Sequence, residues 1–435
     1  MTPKHFCALA VALFAIATPA AAQRSAGPYS DILGAVEDTA TRQTLTFRGS
    51  LFGAWDQVSD ERISASADDR FLYSGFAGGA TGGLAHARRT RRTQWLSSAT
   101  TALRIYGTGD DAAAATFAGR TGLTTNFNSR VSLVTGGGLT YSPYYEFAPV
   151  LDPRFMGGGS FSSGFGVATA GERNIAAFVD VGLNTRFSRR DTLDVSTDAR
   201  RFKFLDQPDR DMNWYSGGVM FRHLLTRAFG IHAGYRREQA QYESSVAPRF
   251  LNDTIDLGVD YGDSLQFSRR MALSFSSSTA AVRWLDETHF RVNGSVALTR
   301  AFGRAGSGAV QYGRGTEFTP GFREPLLEDT LGGGYSNQVG RRSSWSAVVA
   351  YTRGTIGFDG GSTSRFNSYT GGGRWTTALT RNLGVFGDYL YYQYEVPPGS
   401  TFFAFVPKFS RHTVSVGLSV WKPLINDTRS AAPIR

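Results

Sequence analysis

Five aspartates and five arginines of this chain fall in stretches where apolar residues alternate with small or polar ones: Asp194, Asp198, Asp256, Asp260 and Asp388, with Arg200, Arg236, Arg291, Arg374 and Arg411. Ions gathered on one face of an element can bias the passage of other ions, or can pair and hold neighbouring segments in register. A third use, proton transfer to a nucleophile, needs a partner pattern. His86, His223, His232, His289 and His412 have no recognisable Ser-His or Asp-His arrangement around them. A histidine beside a turn or on a wet face is the simpler reading of each. No metal-ligand spacing or nucleophile elbow is present, and the Gly-Gly-Gly runs at 136–138, 157–159, 332–334 and 371–373 lack the lysine and helix of a phosphate loop. No cofactor and no metal are expected. An ion-biasing or structural face is the chemistry that remains.

The elements that carry these charges have period 2. In residues 254–261, Ile255, Leu257, Val259 and Tyr261 share one face, and Thr254, Asp256, Gly258 and Asp260 the other. Residues 192–200 set Leu193, Val195 and Ala199 against Asp194, Ser196, Asp198 and Arg200. Residues 289–298 set Phe290, Val292, Val296 and Leu298 against His289, Arg291, Asn293 and Ser295. The last such stretch opposes Val414, Val416, Leu418 and Val420 to Arg411, Thr413, Ser415 and Ser419. Burying so many ions in a dry interior would be costly, so the charged face borders water.

Between the alternating stretches a short phrase recurs, an apolar residue, then Ser, Thr or Asn, then Arg. Leu225-Thr226-Arg227, Phe267-Ser268-Arg269, Leu298-Thr299-Arg300 and Leu379-Thr380-Arg381 are its clearest copies. Phe127-Asn128-Ser129-Arg130, Phe187-Ser188-Arg189 and Val339-Gly340-Arg341 are looser ones. The spacing reads as strand, loop, strand, tight turn, the grammar of an up-and-down barrel. Eight turns, near residues 88, 129, 189, 227, 269, 300, 341 and 381, predict about 18 antiparallel strands, from about Thr44–Trp55 to about Ser410–Trp421; a misread hairpin would leave 16.

Aromatic residues decide which face looks outward. Tyr144, Tyr145, Tyr235, Tyr261, Tyr351, Tyr391, Tyr392 and Tyr394 gather away from the Arg-bearing turns, while Phe127, Phe187, Phe229, Phe267 and Phe302 sit beside them. Two aromatic belts around an apolar band are what lipid interfaces select. The expected fold class is therefore all-β, a transmembrane antiparallel barrel with apolar faces toward lipid.

The start of the chain agrees. Lys4 and His5 precede an apolar run to Ala17, and Ala20-Ala21-Ala22 has the small-residue pattern of a cleavage site, so residues 1–22 read as a signal peptide. The one cysteine, Cys7, lies inside it. Residues 23–42 read as a periplasmic lead-in, 43–422 as one outer-membrane barrel and 423–435 as a tail. Gly is abundant at 51 residues and aromatics reach 13%, spread along the chain without a break.

On these features the chain resembles Gram-negative outer-membrane β-barrel proteins of the porin type, over about residues 43–422. The resemblance implies a passive or gated channel for small polar solutes or ions. It also implies contact with outer-membrane lipid and lipopolysaccharide, insertion by the barrel-assembly machinery, and the trimeric or other homo-oligomeric habit of porins. The third external loop would fold inward and make Asp152, Arg154 and Phe155 a constriction. Such barrels commonly finish on an aromatic residue; here Val416-Gly417-Leu418-Ser419-Val420-Trp421 is the internal counterpart, followed by Lys422 to Arg435. A structural or export barrel, for example one passing a polysaccharide, is the alternative, and a barrel hydrolase a weaker one. Net charge is +10 and the pI about 9.8. Much of the excess sits in turns (Arg88, Arg89, Arg91, Arg92, Arg189, Arg190, Arg269, Arg270, Arg341, Arg342), where it suits phosphate headgroups. No nucleic-acid fold signature accompanies it, and no nucleic-acid partner is expected.

Overall fold

In the computed structural model, the recurring phrase is a turn with its own cap. The Ser, Thr or Asn side chain accepts hydrogen bonds from backbone amides just ahead of it: Asn128 from Arg130 and Val131, Ser188 from Arg190 and Asp191, Thr226 from Phe229, Thr380 from Asn382 and Leu383. These groups would otherwise stay unpaired at a strand end, which is why small polar residues recur at this position. The apolar residue before the cap, Phe127, Phe187, Leu225 or Leu379, faces outward from the turn and is exposed. Leu298-Thr299-Arg300 does not fit: it lies inside a strand that runs on to Phe302. Thr299 there donates to the carbonyl of Ala272 on the next strand. At Val339-Gly340-Arg341 the cap is replaced by Gly340 at φ +68°, a conformation a side chain would resist.

The described residues are 41–59, 74–106, 113–146, 168–170, 173–206, 208–226, 229–243, 249–260, 265–268, 271–284, 287–303, 305–317, 324–358, 365–396 and 408–428. They form a closed antiparallel barrel of 18 strands. In chain order these are β1 (Thr41–Ser59), β2 (Gly75–Arg89), β3 (Thr93–Tyr106), β4 (Ala113–Asn126), β5 (Val131–Ser142), β6 (Asn174–Arg186), β7 (Asp191–Phe204), β8 (Met212–Leu224) and β9 (Gly230–Tyr242). There follow β10 (Phe250–Asp260, resumed at Leu265–Ser268), β11 (Met271–Trp284), β12 (Glu287–Phe302), β13 (Gly306–Glu317), β14 (Leu326–Val339), β15 (Ser343–Ile356), β16 (Arg365–Ala378), β17 (Leu383–Glu395) and β18 (Lys408–Thr428). Each pairs with its chain neighbours, and β18 closes on β1 from Thr41↔Thr428 to Ser59↔Ser410. Closure leaves no open edge, as a chain crossing hydrocarbon requires.

Two strands differ from the periodicity. The last runs on to Thr428: pairing with β1 continues through Phe47↔Lys422 and Thr46↔Pro423, and a register shift between Thr46 and Leu45 passes over Leu424 before Leu45↔Ile425. Strand β10 is irregular: its pairing with β11 passes from Ile255↔Thr279 to Leu265↔Leu273, ten steps along one strand against six along the other. Among the described residues no helix is long and apolar enough to cross a membrane.

The apolar faces look outward. Ile255 and Leu257 are 50% and 66% exposed, and Val195, Val292, Val296, Val414, Val416, Leu418 and Val420 are exposed with them. Calling the short-turn side of the barrel its turn end and the other its loop end, an outward belt of Trp95, Phe127, Phe187, Phe221 and Trp375 marks the turn end. Phe302, Tyr335 and Trp345 extend it, their rings 5.5 and 4.9 Å apart in succession. Toward the loop end the outward belt holds Trp55, Tyr215, Tyr235, Tyr312 and Tyr389.

Candidate pore lining

The registers put the charged positions on the opposite, inward face. On β7 to β10, Asp198, Ser216, Glu238 and Asn252 occupy one cross-strand row, Ser216 being opposite both Asp198 and Glu238 and Glu238 opposite Asn252. Asn252 donates to Glu238 at 2.8 Å. Two residues toward the turn end lies Arg236, exposed, and two further Asp194 and Asp256, opposite Met220 and Gly234 respectively. Asp194 accepts from Asn184, and Asp256 lies 2.8 Å from His232 Nε2. Arg200 stands 3.6 Å from Asp198 and 4.6 Å over the ring of Trp214. Between the neighbouring strands β16 and β17, Arg374 approaches Asp388 at 3.4 Å and lies over Phe386. Arg291 is half-buried on β12.

The sharpest departure concerns Arg411. It faces inward but is buried, not open to water. Its Nη2 donates at 2.7 Å to Asp56, which also accepts from Thr413 at 2.7 Å and from Arg104. Asp56 is 1% exposed, Arg104 2% and Arg411 1%; the knot ties β3, β1 and β18 together over the closing seam. Tyr106 stacks its ring 5.2 Å from Arg104. Asp56, Arg104, Asp180 and Glu238 were not singled out from sequence, although Arg104 alternates with outward Leu103 and Ile105 and Asp180 with Val179 and Val181; Glu238 is hidden between the polar Arg237 and Gln239. The side chain of Asp260, and Asp152, Arg154 and Phe155 entirely, lie outside the described residues.

Height along the barrel separates two environments. At mid-strand the inward side chains are partly exposed, Asp198 and Asp256 keeping 17% and 23% of their side-chain surface. Toward the loop end the inward positions are covered and, apart from polar groups such as the Asp56, Arg104 and Arg411 knot, largely apolar. One cluster joins Leu326, Ile356, Phe366, Tyr392, Tyr394, Val396 and Phe409, a second Ala77, Ala102, Tyr106, Ala114 and Tyr144, a third Met212, Ala240, Tyr242 and Phe250. An inward residue with no accessible surface is covered by other atoms.

A closed barrel of this strand number, apolar and aromatic-belted outside, charged and wet inside, admits one architectural class. The architecture is that of a closed 18-stranded antiparallel β-barrel with a lipid-compatible exterior. No family model and no curated protein matches the chain. Among solved structures, OpdQ of Pseudomonas aeruginosa is similar at 12% identity and TM-score 0.43, over 88% of this chain and 98% of that one. OccAB4 of Acinetobacter baumannii aligns at 8% and 0.42, over 89% and 100%. The FrpB iron transporter of Neisseria meningitidis aligns at 10% and 0.45, over 93% and 88%. At these identities and scores nothing about solute or partner passes from them to this barrel.

The histidines are distributed rather than assembled. His223 meets Asp191 at 2.6 Å beside a turn, His412 meets Tyr389 at 2.9 Å on the outward face, and His289 stacks on Phe358 at 4.1 Å near the loop end. Among the described residues no group of three or more His, Cys, Asp or Glu is placed to hold a metal ion.

Proposed function

We propose that this barrel is an outer-membrane channel through which small polar solutes or ions diffuse, passively or under a gate at the loop end. The observation that carries the reading is the inward charge at mid-strand that stays accessible: Asp198, Asp256 and Arg236 face neither lipid nor a packed core. Charge in that position is stable only beside water, and a barrel of 16 to 18 strands is wide enough to hold it. The largely apolar cover toward the loop end favours a gate. It also supports the second reading, a structural or export barrel that opens only with a partner.

Planar bilayers test the reading. Purified protein is expected to give stepwise conductance, and Arg236→Ala to shift the reversal potential toward cations. A unit charge about 6 Å from a permeating ion in water is worth about 0.7 kcal/mol, roughly threefold in relative occupancy. Arg291→Ala should act in the same direction. A folded barrel that never conducts would favour the structural reading; hydrolysis of phospholipid by the pure protein would favour an enzyme.

A further inference from the structure

The outward face carries a polar unit, repeated three times, that permeation does not use. On β9, Tyr235 donates to Asp253 of β10 at 2.6 Å, and Nε of Arg237 lies 3.8 Å from the same carboxylate oxygen. On β13, Tyr312 donates to Asp329 of β14 at 2.7 Å, with Nε of Arg314 at 3.7 Å. On β15, Tyr351 donates to Asn367 of β16 at 3.2 Å. In each copy the strand reads Tyr-x-Arg, and the arginine is the direct cross-strand partner of the acceptor: Arg237↔Asp253, Arg314↔Asp329, Arg353↔Asn367.

The second and third units lie in the loop-end half of their strands and the first at the middle of β9, and in each the arginine is on the loop side of the tyrosine. Tyrosine belts mark where hydrocarbon meets headgroup, so the guanidiniums stand at headgroup level. The side chains of Arg237 and Arg314 are 54% and 47% exposed. Their contacts to aspartate run through Nε and are long. In the first two units the carboxylate also accepts from a tyrosine hydroxyl, and in the third the acceptor is the uncharged amide of Asn367. The distribution is lopsided. Exposed outward arginines continue along this arc at Arg201 and Arg283, whereas the matching outward positions of β2, β3, β5 and β6 are Phe76, Ile105, Tyr141 and Ile175.

We infer that these three units bind phosphorylated glycolipid of the outer leaflet, each guanidinium fork holding a phosphate. A planar guanidinium fork matches a pair of phosphate oxygens, and at the headgroup level such a contact is desolvated enough to count. The inference rests on the barrel's orientation in the membrane and not on conduction, so a silent bilayer recording would leave it standing.

The test uses the full-length protein in phosphatidylcholine nanodiscs doped with bis-phosphorylated lipid A or with its phosphate-free form, and native mass spectrometry counts retained lipid. Wild type is expected to retain the phosphorylated form at least tenfold better. The triple variant Arg237→Gln, Arg314→Gln, Arg353→Gln should lose that preference, and each single replacement should lower retention two- to threefold, which keeps the test decisive if the triple variant misfolds. Conductance should not change, since none of the three faces inward. Equal retention of both lipids by wild type, or unchanged retention by the folded variants, overturns the assignment. So does a dimer lost on substitution while lipid retention persists, which would make the rim an interface between copies.

Discussion

Asp56→Ala is expected to cost the barrel about 3–5 kcal/mol, the range for removing one partner of a buried ion pair. The carboxylate is the common acceptor for Arg104, Arg411 and Thr413, and both guanidiniums are essentially without solvent. Deleting it leaves two like charges close together, each having lost its counterion. The effect falls on closure in particular, since Arg411 is 355 residues from Asp56 and belongs to the last strand while Asp56 belongs to the first. Urea titration of folding into lipid vesicles, read alongside the folded band in unboiled gels, measures it. Glu243→Ala provides the contrast: it breaks an exposed pair with Arg201 and should change stability by under about 1 kcal/mol. Replacing all three buried charges at once, Asp56→Leu with Arg104→Met and Arg411→Met, should recover much of the loss, because well-packed apolar groups need no counterion. If Asp56→Ala unfolds at the wild-type midpoint, the knot is not what holds the seam.

That knot also marks the boundary of what the chain reveals before it folds. Period 2 in residues 192–200, 254–261 and 289–298 assigned faces because alternation is local, and the turn phrase gave strand number because its Ser, Thr and Asn caps act within three residues. Pairing between distant inward charges is set by which strands become neighbours and in what register. Nothing near Arg411 names Asp56 as its partner; only closure of β18 on β1, with Asp56 opposite Thr413, puts them together. Arg374 and Asp388 were legible as inward residues, yet their contact depends on the β16–β17 register that places them directly opposite. The misplaced turn at Thr299 has a physical cause too. A Thr before an Arg caps a turn only if the following amides are free, and here they continue a sixteen-residue strand. Extension of the last strand past Trp421 was hidden because Lys422-Pro423 breaks the alternation, and a register shift follows it.

Leu257→Arg carries the second large effect, and it separates lipid from water as the outer solvent. Leu257 lies mid-strand on β10, faces outward and is 66% exposed. In a bilayer that position meets acyl chains, where an arginine on a barrel's lipid face costs about 2–4 kcal/mol at the midplane. In a water-soluble barrel the same exchange would swap an exposed leucine for a soluble cation, within about 0.5 kcal/mol of neutral. The inward control is Ser278→Arg on the neighbouring β11, at a half-buried position of the wet face, where a long cation can extend into the lumen at small cost. The expected order in vesicle-folding titrations is therefore wild type close to Ser278→Arg, both well above Leu257→Arg. The reverse order would place water outside and lipid-like packing within. It would remove the basis for permeation and for the glycolipid rim together, since both require Ile255, Leu257 and their outward neighbours to face hydrocarbon.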